Sequence, residues 1–237
     1  MNEILDGFVK AFQLIFTGDP TVYNVVLRSL FISGAATLIA ILWGTPIAML
    51  LGLKSFPGKF LLKGAFNTLI GIPTVALGLI LFLFFEKEAG IVGFLHLLYT
   101  PTAIIIGEAI LVTPIIVSFA TTAIEAVDPQ VISLARTLGA SESRASLTVL
   151  REASHGIFLA GTACFNRAIA ELGVALMVGG NIEGLTDVLT TVISRETQRG
   201  NISIAIALSI ILLALVFGIT VAVNLFQRRR KWTASQS

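Results

Sequence analysis

Long apolar runs separated by short polar segments set the character of this chain. Five runs are long enough to cross a hydrocarbon core about 30 Å thick, which takes about 20 helical residues. They are Val25 to Leu51, Gly64 to Phe85, Pro101 to Ala123, Gly156 to Val178 and Ile202 to Phe226. The pattern predicts an all-α, polytopic membrane protein with five transmembrane helices. Ile4 to Phe16 is too short to span and contains Asp6 and Lys10. It is expected to be an amphipathic helix on the membrane surface or the lead-in to the first span. It has no basic n-region and no small-residue cleavage site, which argues against a cleaved signal peptide.

One polar stretch has a pattern of its own. Asp128 to Leu150 reads as two short helices hinged at Gly139. Asp128 suits an N-cap and Pro129 the first helical position, where the missing N–H costs nothing. Val131, Leu134, Ala135 and Leu138 then recur on one helical face. Gly139 can adopt the left-handed conformation that ends a helix, and Ser141 can cap the next, which carries Ala145, Leu147, Val149 and Leu150. Such an elbow would suit a partner's groove; the alternative is a helical loop that merely joins two spans.

Composition fixes the environment. With 55% hydrophobic and 13% charged residues and a mean hydropathy of +0.92, there is too little polar surface to cover a soluble globule. Basic loops stay cytoplasmic, so charge orients the spans. With five spans, Lys54, Lys59 and Lys63, the elbow residues Arg136, Arg144 and Arg151, and the tail residues Arg228, Arg229, Arg230 and Lys231 share one side. The opposite side has Lys10, Lys87, Arg195, Arg199 and, at its edge, Arg28, among many acids. The expected topology is therefore N-terminus outside, with the elbow and C-terminus in the cytoplasm. The net charge of +2 reflects that topology and anionic lipid, and no nucleic-acid partner is expected from the basic tail.

Asp128-Pro129, the run Ala135, Arg136, Thr137, Leu138, Gly139, Ala140 and Ser141, and Val149 resemble the EAA-type coupling loop of ABC transporter permeases of the MetI-like, type I importer class. Ser133-Leu134-Ala135 stands where Glu-Ala-Ala is usual, and Arg151-Glu152 where many relatives carry Leu-Pro. Asn166 to Gly173 and Met177 to Ile182 resemble the branch importing molybdate, sulfate and tungstate. Leu189-Thr190-Thr191, Arg195-Glu196-Thr197, Arg199-Gly200 and Arg151-Glu152-Ala153 are most similar to the tungstate permeases. The resemblance implies an interfacial segment at 1–24, a permease domain at 25–226 with a cytoplasmic coupling loop at 124–155, and a basic tail at 227–237. It implies a prokaryotic inner-membrane location and a second copy of this chain. It also implies two cytoplasmic ATPase subunits, which would hold ATP and Mg, and an extracytoplasmic solute-binding protein. This chain would then be no enzyme and carry no cofactor of its own. Gly52 to Lys59 is a near miss for a phosphate loop, because the glycine spacing is wrong and Phe60 stands where Ser or Thr is needed.

Three ionisable residues fall inside predicted spans, and each is costly in hydrocarbon. Arg167 and Glu171, four apart, should share a helix face, about 17 Å and 11 Å deep, with Glu108 about 11 Å deep in the third span. Two readings are open. The three neutralise one another between packed helices, or Arg167 faces the path and eases an oxyanion through it while Glu171 keeps binding weak. Gly71, Pro73 and Pro114 would kink moving helices or let helices pack closely. Gly179, Gly180 and Asn181 would form a turn or offer backbone donors. His96 is expected to make an ordinary polar contact. With His96, His155 and Cys164 as the whole His and Cys inventory, no metal cluster or disulfide can be built within one chain. No base pairs with Ser118 or Ser209 for an intramembrane serine enzyme. A proton-coupled carrier using Glu108 and Glu171 is the competing function class, and the absence of an inverted repeat argues against it.

Overall fold

The computed structural model describes residues 2–17, 20–88 and 90–234. It contains eleven α-helices among the described residues: α1 (Asn2–Thr17), α2 (Pro20–Leu53), α3 (Lys59–Leu69), α4 (Thr74–Phe85), α5 (Pro101–Glu125), α6 (Gln130–Thr137), α7 (Glu142–Glu152), α8 (Ser154–Ile169), α9 (Gly173–Gly179), α10 (Leu189–Gln198) and α11 (Ile202–Ala234). The fold is all-α, as the apolar pattern predicts. The side chains of the basic residues Arg228 to Lys231, and residues 235–237 of the expected loose tail, lie outside the described residues.

Three helices, α2, α5 and α11, are long and apolar enough to cross a membrane, and the number is five if each of two bent pairs makes one span. The bent pairs are α3 with α4 and α8 with α9, turned by 100° and 59°. The second and fourth predicted spans are therefore interrupted. Pro73 explains the first break: it disfavours helical dihedrals at Ile72, sits in an extended conformation (φ −62, ψ 117), and accepts from Leu77 N–H through its carbonyl at 3.0 Å, so α4 starts there. Gly71 is exposed in this break, where a Cβ would meet only the Thr68 carbonyl oxygen, at 3.7 Å. Pro114, by contrast, sits inside a continuous α5.

The chain divides into two compact units, one of residues 1–35, 73–108 and 168–237, the other of 36–72 and 109–167. In the first, α1 packs on α11, α4 on α9, and α10 on α11. Its core joins Val25 of α2, Leu189 and Val192 of α10, and Leu208 and Ile211 of α11. The beginnings of α2 and α11 thus meet in this core. The N-terminal helix packs closely on α11, because a Cβ at Gly7 would lie 2.3 Å from Ile206 Cγ2.

In the second unit, Gly44 and Gly52 lie eight residues apart on one face of α2 and bring it against α5. A Cβ at either would lie 2.4 Å from Ile116 or 2.6 Å from Ile124. Small residues of this kind let helices approach in a medium that provides little hydrophobic drive between them. Gly52 therefore serves helix packing, and the lysine-bearing segment after it is a turn with Gly58 at φ +88. Trp43 donates to Thr113 at 2.5 Å across the same pair. Outward faces stay apolar: Leu42, Leu213 and Phe217 are 74%, 68% and 73% exposed, as a lipid-facing surface requires.

Candidate coupling elbow and intramembrane ionisable residues

The elbow forms as its caps dictate. Asp128 accepts from Gln130 N–H at 2.8 Å through its carboxylate and from Val131 N–H at 3.0 Å through its carbonyl. Pro129 is already helical at φ −54, ψ −24. At the other end Gly139 sits at φ +85, with its N–H donating to Arg136 and the N–H of Ala140 donating to Ala135, both at 3.0 Å. These two bonds complete a Schellman stop, for which a residue without a Cβ is suited. Ser141 then caps α7, accepting from Arg144 N–H at 3.4 Å.

The two elbow helices pack against each other. Ala145 and Val149 of α7 are buried, one turn apart. Leu147 lies between them on the opposite side and is 45% exposed. On α6, Val131 and Ala135 are half-buried, while Leu134 and Leu138 are 65% and 82% exposed. Arg136, with Met49, Leu53, Lys54 and Glu142, lines a cleft of about 240 Å³ beside the elbow. Thr137 is exposed and donates back to the Leu134 carbonyl at 2.8 Å. The elbow's root is held at Glu125, the last residue of α5, by Lys59 at 3.2 Å and Lys63 at 2.6 Å.

The ionisable residues are placed differently from the sequence expectation. Helix α8 ends at Ile169, so Glu171 lies in the break and does not share a continuous helix face with Arg167. Depths counted along one straight helix therefore do not apply. The Glu171 carboxylate accepts from Val174 N–H at 3.0 Å, capping α9, and its carbonyl accepts from Thr190 at 2.6 Å. An acidic group there meets the N–H groups left open at a helix start. Glu171 and Glu108 are 2% and 1% exposed in the first unit, and Arg167 is half-buried in the second. Gly107, next to Glu108, lets α5 approach Val174 of α9.

A second polar network escaped sequence reasoning. Asp187, 1% exposed, pairs with Arg28 of α2 and lies 3.8 Å from Arg195 of α10. Arg28 also donates to the carbonyls of Asp187 (3.0 Å) and Gly184 (2.9 Å). Val188, which precedes α10, has no capping oxygen; Ser29 of α2 accepts from Leu189 N–H at 2.8 Å instead. Gly180 and Asn181, at φ +68 and φ +49, form the turn that opens this loop. Glu196, 8% exposed, accepts from Asn201 at 2.8 Å and pairs with Arg195 and Arg199. The Asn201 amide, followed by those guanidinium groups, holds its carboxyl below the usual carboxylate range against the opposing effect of burial. His96 is exposed, at φ 49.

Comparison with known proteins places this arrangement. The family model described as "Binding-protein-dependent transport system inner membrane component" matches residues 44–232. The chain belongs to that family. As an inner membrane component of such a system, it has the elbow and both bent pairs inside the matched region, with α1 and residues 20–43 of α2 ahead of it. Among relatives, it is 34% identical to the tungstate uptake system permease protein TupB of Peptoclostridium acidaminophilum, over 96% of this chain and 99% of that protein. It is 37% identical to a probable anion ABC transporter permease protein of Haloferax volcanii, over 83% of this chain and 86% of that one. In structure it is similar to a chain from an amino acid ABC transporter crystallised with histidines, with a TM-score of 0.66, 20% identity, and coverage of 92% and 98% of the two chains. That likeness carries the fold alone.

Proposed function

We propose that this chain is the membrane-spanning permease subunit of an importer for a tetrahedral oxyanion, most simply tungstate, driven by separate cytoplasmic ATPase subunits. Molybdate or sulfate is the alternative cargo. The cargo assignment rests on the 34% identity to a tungstate uptake permease and the 37% identity to a probable anion permease, each over most of both chains. Tungstate and molybdate carry the same charge and are nearly equal in size, so the measurement that separates them is which oxyanion the cognate solute-binding protein holds most tightly, with sulfate as competitor.

The observation that carries the coupling reading is Leu138, 82% exposed beside a glycine stop at the turn of a two-helix elbow. Leu134 and Leu138 together offer an apolar edge, and each leucine fully buried by a partner contributes about 1.5–3 kcal/mol. In this scheme Ala135, Arg136, Thr137, Leu138, Gly139, Ala140 and Ser141 seat in an ATPase cleft. ATP and Mg belong to that partner. Closing of the ATPase pair moves the elbow as a rigid body and rocks the spans of two copies of this chain. A solute-binding protein delivers cargo from outside, where the N-terminus lies; the basic loops and the C-terminus face the cytoplasm.

Arg167 is assigned to the translocation path, where a planar guanidinium suits an oxyanion and a single contact allows release. Glu108 and Glu171 are buried carboxylates of the first unit, and Glu171 already accepts from the start of α9. The alternative, a carrier that uses these two carboxylates for protons, predicts uptake that follows the proton gradient and survives ATP depletion. The direct test of the proposal is co-purification. The wild-type chain should retain an ATPase, and Gly139→Arg should lose it while the membrane helices stay folded. Uptake that outlives ATP depletion, or an ATPase retained by Gly139→Arg, would overturn it.

A further inference from the structure

A second cleft, of about 370 Å³, opens where α1, α10 and the beginnings of α2 and α11 meet. Its composition is divided. Lys10, Arg195 and Arg199 supply three cations, Glu183 and Glu196 two carboxylates, which leaves one positive charge in excess. The remaining wall is apolar, with Leu14, Val22, Val25, Ile204 and Leu208 among its residues. Arg195 is engaged with Glu196 at 3.4 Å and sits 3.8 Å from Asp187, so it is held in place. Arg199 is 56% exposed and reaches Glu196 through one nitrogen at 3.1 Å, while its guanidinium has further N–H donors. Lys10 is exposed on α1.

Position within the membrane narrows the ligand. The candidate spans begin at Pro20 and Ile202. Thr21 and Val22 from the first turn of α2, and Arg199 and Ile204 from either side of the start of α11, line the same cleft. Its charged rim therefore lies where hydrocarbon gives way to water, and its apolar wall continues along the membrane-embedded helices. A small inorganic anion would gain from the rim but leave the apolar wall uncovered. An amphiphile with one negative charge satisfies both.

We propose that this cleft binds one anionic phospholipid, with the headgroup phosphate between Lys10, Arg195 and Arg199 and the start of an acyl chain against Leu14, Val22 and Leu208. The phosphate would take charge-assisted bonds from Lys10 and Arg199 and complete the charge balance of the rim. The proposal does not depend on which ion is transported.

Native mass spectrometry of the full chain, released from micelles containing equal phosphatidylglycerol and phosphatidylcholine, tests it. One phosphatidylglycerol should be retained at least tenfold over phosphatidylcholine. Lys10→Gln with Arg199→Gln should remove that preference, while Lys10→Arg with Arg199→Lys should keep most of it. Millimolar inorganic phosphate should not displace the lipid. Equal retention of the two lipids by the wild-type chain, which needs no variant to fold, would overturn the proposal. So would an undiminished preference in the Gln variant, or displacement by inorganic phosphate, which would mark a site for a free anion.

Discussion

Arg28 and Asp187, 159 positions apart, are joined twice, through the Asp187 carboxylate and through its backbone carbonyl at 3.0 Å. The pair fastens the loop before α10 to the first turns of α2. Asp187 is 1% exposed, so removing Arg28 would leave a buried carboxylate with less compensation. Loss of one partner from a buried pair typically costs about 3–5 kcal/mol. Arg28→Ala should therefore lower the Tm of the purified chain sharply. Arg28→Gln combined with Asp187→Asn should cost less than the sum of the two single changes. Additive losses in that double-mutant cycle would show that the two side chains are not coupled.

Packing between α2 and α5 gives a second expectation. Gly44→Val would drive a side chain into Ile116, where a Cβ alone already comes within 2.4 Å. Overpacking of this kind costs about 1–3 kcal/mol. The matched control is Gly34→Val on the same helix, where a Cβ meets nothing within 4 Å. Thermal unfolding in detergent should separate the two, with Gly44→Val the less stable.

The carboxyl of Glu196 sets an acid dependence. Its folded pKa is below the unfolded value of about 4.3. The stability it contributes is thus present above that unfolded value and is lost as pH falls through the folded one. Glu196→Gln should unfold at lower temperature than wild type at pH 7, and the difference should shrink as pH drops below about 4. A gap that stayed constant across this range would assign the loss to shape rather than charge.

At the elbow, Leu138→Glu should leave folding almost unchanged, because the side chain is 82% exposed. Retention of the ATPase in co-purification should instead fall by about ten- to a hundredfold, the equivalent of losing one buried leucine. Unaltered retention together with unaltered uptake would remove Leu138 from the contact.

The parts legible in the sequence are those whose cause is local. Asp128, Gly139 and Ser141 act within a few residues of where they stand, so the elbow and its caps could be read from spacing. The breaks were harder. Both sides of Ile70 to Pro73 and of Ala170 to Leu172 are apolar, so hydropathy runs through them; Pro73 marks one break, while the other has only a modest signal in Glu171 before Gly173. Treating α8 and α9 as one rod then placed Arg167 and Glu171 on a shared face that does not exist. The Arg28–Asp187 pair and the Ser29 cap on α10 lay beyond reach for a different reason. Each joins residues about 160 positions apart, and nothing near either partner announces the other. Asp187 directly after Thr186, a few residues before Thr190 and Thr191, was the available hint.

Lys59 and Lys63 both close on Glu125 at the foot of α5. The amphipathic start of α3 and the stem of the elbow consequently travel together, like a crank pinned to its connecting rod. Displacing the elbow would therefore load α3 first.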